Sequence, residues 1–151
     1  TERLILRPFS LADAKELQKL IGDRTIADTI ISIPHPYTGK MAKDWIGKRP
    51  EEYKEGKSIQ FAITNKENGS LIGGIGMNIN MAHKNAEVGY WIAKPCWHRG
   101  YCTEAVSATV RYGFEMLGLN RICAKHMTRN PHSGRVMQKI GMKHEGHMRQ
   151  A

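Results

Sequence analysis

The chain has 151 residues, 40% hydrophobic and 25% charged, with 23 Lys and Arg against 14 Asp and Glu for a formal net charge of +9. That length suits one domain around one sizeable core, and no apolar run approaches the ~18 residues of a membrane span. The opening TERLILRPFS is too charged, and its apolar stretch too short, for a secretory leader. Three cysteines without framework spacing fit a reducing compartment, so the chain reads as a cytoplasmic protein. The basic excess favours anionic partners, a phosphorylated cofactor among them. No run of five or more basic residues occurs, and a dedicated nucleic-acid stripe is not indicated.

In chain order, residues 3–9 alternate as a strand, with Leu4, Leu6 and Pro8 on one side and Ile5, Arg7 and Phe9 on the other. Ser10 offers a helix cap, with Asp13 three residues on in the manner of a capping box. Leu11, Ala14, Leu17 and Ile21 then recur at helical spacing. Pro34 and Pro36 make 29–40 a loop. Thr38 caps a second helix with Met41, Ala42, Trp45 and Ile46 inward, which Pro50 is expected to end or kink. The strands 58–64 and 70–80 flank a turn at 65–69, and Gly73, Gly74 and Gly76 suggest a bulge or a close backbone approach.

A third middle strand, 85–93, sets Glu87, Gly89 and Trp91 against Val88, Tyr90 and Ile92. A helix is expected from about Thr103 to Leu117 with Val106, Val110, Phe114 and Leu117 as its apolar stripe, stopped by Gly118. A strand at 120–128 follows. The next helix, over 130–141, has Asn130 as cap, Pro131 in its first turn and Val136, Met137 and Ile140 inward. A further strand begins at Met142. The order β-α-α-β-β-β-α-β-α-β predicts a mixed sheet with helices packed on it.

The stretch PCWHRGYCTEA, residues 95–105, turns the third middle strand into the long helix. As an anion cradle it offers the unpartnered first N–H groups of a helix, the positive end of the helix dipole, the charge of Arg99, and Gly100 for close approach of a pyrophosphate. Many such turns bind nothing. As a metal site, Cys96, His98 and Cys102 lack a second paired half elsewhere. As a nucleophile, Cys102 beside Arg99 at a helix start competes with a plain packing role for a small buried residue.

These residues resemble the GNAT N-acetyltransferase superfamily, and within it the RimJ/RimL-type ribosomal-protein alanine N-acetyltransferases. EVGYWIAKPCWHRGYCTEA is similar to the family's cofactor turn, W-G-[KR]-G-Y-A-T-E-A, after a strand ending E-[IV]-G-Y-W-I. The blocks TERLILRPF, IPHPYT and NPHSGRVMQKIGMKHEG follow in the family's order, so the resemblance spans essentially the whole chain. Pro95 stands where the family has Gln or Arg, and His98 where it has Gly. The family continues past this point with a final strand pair, so residues 1–151 are expected to form one acetyltransferase domain lacking that pair. An unfinished sheet edge would favour a homodimer.

The resemblance implies the GNAT fold, a mostly antiparallel twisted α/β sheet, and acetyl-CoA as co-substrate without a metal. The cofactor residues implied are Ile92 and Ala93 at a splay of two strands, His98, Arg99, Gly100, Tyr101, Cys102 and Thr103 around the diphosphate, and Asn130 on the pantetheine arm. A backbone N–H at the splay would polarise the thioester carbonyl. Ser133 would protonate the departing thiolate. Glu87 is the candidate base, directly or through a water, with a salt bridge to a basic residue as its alternative role; His83 and His35 are weaker candidates. The implied acceptor is a protein N-terminal α-amine, whose reference pKa near ~8 asks less of a base than a lysine near ~10.4. A polyamine, aminoglycoside or amino acid is the alternative acceptor, and a non-catalytic acyl-CoA-binding module the alternative role.

Overall fold

The computed structural model describes residues 1–30 and 33–149. Five strands form one sheet in sequence order: β1 (Leu4–Pro8), β2 (Ser58–Asn65), β3 (Leu71–Asn80), β4 (Asn85–Ile92) and β5 (Arg121–Cys123). All neighbours are antiparallel except β4 and β5, which run parallel. Alternation along the strands gives the sheet two apolar faces, so helices cover both.

On one face, Leu4, Ile63, Ile75, Met77, Val88 and Ile92 pack against Ala105 and Val106 of α4 (Tyr101–Glu115). On the other, Trp91, Leu71 and Phe9 lie against α1 (Ala14–Ile21) and α3 (Gly39–Lys54), through Leu17, Ile21, Ala42 and Ile46. A short α2 (Arg24–Ala27), capped by the Asp23 carboxylate on Thr25 N–H, follows α1 in the chain and packs on it, and α5 (Pro131–Lys139) follows β5. No helix among the described residues is long and apolar enough to cross a membrane.

The β3 glycines serve close approach. A Cβ on Gly73 would lie 2.4 Å from the Trp91 carbonyl oxygen, and one on Gly74 2.6 Å from the Trp91 indole nitrogen. A register shift at Ile63/Thr64 skips Ile72, so a bulge is present beside them as well.

Five expectations need correction. Helix α3 runs through Pro50 to Lys54, so the proline does not end it. Its turns are tied across the proline by Arg49, which bonds the Trp45 carbonyl, stacks on that ring and pairs with Glu52, and by Ser58 bonding Glu52. Helix α4 starts at Tyr101, two residues early, because Gly100 takes the left-handed conformation at its N-cap with φ 79°. Of the expected stripe, Val106, Val110 and Leu117 pack on the sheet beside Ala105, Thr109 and Gly113, but Phe114 stands 45% exposed at the flank. Strand β5 stops at Cys123 because its pairing with β4 ends at Glu87. After α5, residues 142–149 form no strand; Gln150 and Ala151 lie outside the described residues.

Candidate active site

Strand β4 pairs with β5 only over Asn85–Glu87, so among the described residues Val88 to Ile92 have no strand on that side. Ala93 N–H donates to the Ile72 carbonyl of β3 at 2.8 Å. Because N–H directions alternate along a strand, those of Tyr90 and Ile92 therefore point into the gap. Of the two residues expected at the splay, Ala93 thus has its N–H engaged with β3, and Ile92 N–H faces the gap. The Ile92 carbonyl accepts from the Trp97 indole at 2.6 Å, which locks the chain as it leaves the strand.

Beyond a 3-10 turn at Lys94–Cys96, the cofactor turn carries two left-handed residues, His98 with φ 60° and Gly100. The first turn of α4 leaves the N–H groups of Gly100, Tyr101, Cys102 and Thr103 without an acceptor among the described residues. Four free donors at a helix start, next to Arg99, fit a diphosphate.

One carboxylate sits in that first turn, Glu104. Its two oxygens are taken by the Thr1 hydroxyl at 2.6 Å, Arg3 N–H at 2.8 Å and the Arg3 guanidinium at 2.7 Å. Partial burial pushes the carboxyl up, but the bonds from Thr1 and Arg3 outweigh it and hold the pKa below the usual range. Arg3 also bonds the Arg99 carbonyl at 3.0 Å and covers the Tyr101 ring at 4.7 Å. Arg3 and Glu104 were not singled out in the sequence; their partnership spans 101 residues.

Cys102 is free, and burial pushes its thiol up to about 12. That is the opposite of an activated nucleophile. Among the described residues no three His, Cys, Asp or Glu side chains gather as a metal site. The His98 ring stands edge-on to His132 at 5.3 Å.

On α5, Asn130 caps the helix by accepting Ser133 N–H at 3.3 Å. Ser133 faces β4: its hydroxyl donates to the Tyr90 hydroxyl at 3.1 Å, and Tyr90 donates to the Ser133 carbonyl at 3.0 Å. Burial pushes the Tyr90 phenol up to about 12, against the Ser133 bond that lowers it. Glu87 lies on the sheet face turned away from α4, ion-paired with Lys125 at 2.8 Å and 42% exposed. The structure thus gathers 92–103, Asn130 and Ser133 along one side of the β4 gap, with Glu87 at its closed end.

A strand with unpaired edge amides beside a helix N-terminus rich in free N–H groups fits a transferase that holds a diphosphate-bearing acyl donor. The family model for the acetyltransferase (GNAT) domain matches residues 3–143, and the chain belongs to that family. An uncharacterised N-acetyltransferase of Bacillus subtilis, YoaA, is 32% identical over 151 residues, 99% of this chain and 85% of that protein. The ribosomal protein uS5 alanine N-acetyltransferase of Escherichia coli is 25% identical over 104 residues, 68% of this chain and 54% of that protein. Among solved structures, RimL, a ribosomal-protein α-N-acetyltransferase in complex with coenzyme A, superposes with a TM-score of 0.91 at 18% identity, over 100% of this chain and 86% of that one. The protein is an N-acetyltransferase that uses acetyl-CoA.

Proposed function

We propose that this enzyme, acting as one domain, acetylates a protein N-terminal α-amine by direct transfer from acetyl-CoA. The observation that carries the cofactor side is the run of four free amides from Gly100 to Thr103 at the end of the β4 gap. They and Arg99 hold the diphosphate, with His98 beside them. Asn130 meets the pantetheine arm, and Ile92 N–H polarises the thioester carbonyl. Glu87, ion-paired with Lys125 at 2.8 Å, takes the amine proton. The amine nitrogen forms the new amide bond as the carbon–sulfur bond breaks. Ser133 gives its proton to the leaving thiolate and regains one from solvent.

The α-amine is favoured over a lysine because more of it is neutral near pH 7. The alanine specificity in the name of the Escherichia coli relative supports the same acceptor class. The test is thiol release from acetyl-CoA with peptides beginning in Ala, Ser or Met and with spermidine. Turnover of an Ala peptide is expected; turnover of spermidine alone would overturn the acceptor assignment, and no turnover of any amine would overturn catalysis.

A further inference from the structure

Which face of the sheet admits the acceptor follows from the side chains of β4, given the proposed placement of the thioester along its unpaired edge. Val88, Tyr90 and Ile92 point toward α4 and α5 and join the packed core there. That face is closed. Glu87, Gly89 and Trp91 point the other way, and Trp91 belongs to the cluster with α1 and α3. Between Glu87 and Trp91, Gly89 is exposed, and a Cβ built on it would meet nothing within 4 Å among the described residues.

The cross-strand partners complete a trough. Gly89 faces Gly76, Trp91 faces Gly74, and Glu87 faces the exposed Asn78. The Gln60 side chain lies over Gly76, its Oε1 1.9 Å from where a Cβ would stand, so an amide forms that side of the floor. The Trp91 indole is fixed against Gly74 at the other end. The result is a channel floored by glycine and amide, walled by Trp91, and ended by a carboxylate.

We propose that the amine-bearing end of the acceptor enters over Gly89, and that the bare Gly89 position sets which acceptors reach the thioester. A protonated primary amine arrives with Glu87 and Asn78 ahead of it, Trp91 beside its stem and the Gln60 amide beneath. The assignment rests on the reading above but concerns the acceptor alone.

The variant Gly89→Val tests it, since valine suits an exposed strand position with open space around it. Its melting temperature and its affinity for CoA should match the parent enzyme. KM for an Ala peptide should rise, or kcat/KM fall, by about tenfold or more, the equivalent of losing at least one good contact. Gly89→Ala should fall between. Unchanged acceptor kinetics in a folded Gly89→Val enzyme that binds CoA would overturn the proposal. If the parent enzyme acetylates neither the Ala peptide nor spermidine, the catalytic reading fails separately. The Gly89 amide resonance of the CoA-bound protein then decides: a shift on adding either amine supports the trough, and no shift with either overturns it.

Discussion

The Ser133 hydroxyl and the Tyr90 phenol hold each other in a closed loop, Ser133 donating to Tyr90 at 3.1 Å while Tyr90 donates to the Ser133 carbonyl at 3.0 Å. The loop ties α5 to β4 across the cofactor gap and fixes the serine rotamer. Burial, which pushes the phenol up to about 12, keeps it protonated near neutral pH.

Ser133→Ala should therefore slow turnover with little change in acetyl-CoA affinity, because a thiol of pKa ~8.5 leaves without full protonation and no cradle group is lost. Tyr90→Phe should destabilise the fold by about 1–2 kcal/mol, leaving Ser133 unpinned. Steady-state kinetics and urea unfolding check the two. Loss of CoA binding in Ser133→Ala would move the serine from proton donor to binding residue.

His98 holds the left-handed conformation at φ 60°, which explains why the resembling family uses glycine there. Replacing it with glycine removes a Cβ penalty of about 1 kcal/mol, offset in part by greater freedom of the unfolded chain. His98→Gly should be at least as stable as the parent and bind CoA no more weakly, as the turn's backbone donors remain. Weaker binding would mean that the imidazole itself touches the cofactor.

Glu104 would repel a diphosphate at the start of α4 were it not held by Thr1 and Arg3. Arg3→Ala should weaken CoA binding about two- to fivefold, the size of a charge effect at a helix terminus. Adding Glu104→Gln should restore it. Calorimetric titration of the single and double variants reads this directly; no restoration would assign Arg3's contribution to its bond with the Arg99 carbonyl.

The Arg7 guanidinium, bidentate on Asp13 at 2.7 and 2.8 Å, holds that carboxyl below the usual carboxylate range, with Ser10 N–H adding to the effect. A folded pKa below the unfolded one contributes stability that is present above about pH 4 and is lost as pH falls through the lower folded value. Asp13→Asn should thus be less stable at pH 7 and lose less stability between pH 5 and 2 than the parent. Parallel acid limbs in thermal melts would rule the pair out as an acid-sensitive element.

The middle strands were legible because their signals are local. Alternation marks β1 and β4, and the turn at 65–69 separates β2 from β3. What escaped was set by distant partners. Nothing near Glu87 announces Lys125, 38 residues on, and nothing in TERL announces Glu104. Pro50 reads as a break because propensity sees the missing N–H and not the Arg49–Glu52–Ser58 ties around it. The strand expected at 120–128 was overextended because alternation cannot reveal where a neighbour diverges.

A backbone amide NMR titration with CoA, which perturbs no residue, reads the diphosphate cradle itself. The resonances of Gly100, Tyr101, Cys102 and Thr103 should show the largest shifts, and their hydrogen exchange should slow as free donors gain an acceptor. CoA binding with those four amides unmoved would contradict the cradle, and with it the placement of the reaction along β4.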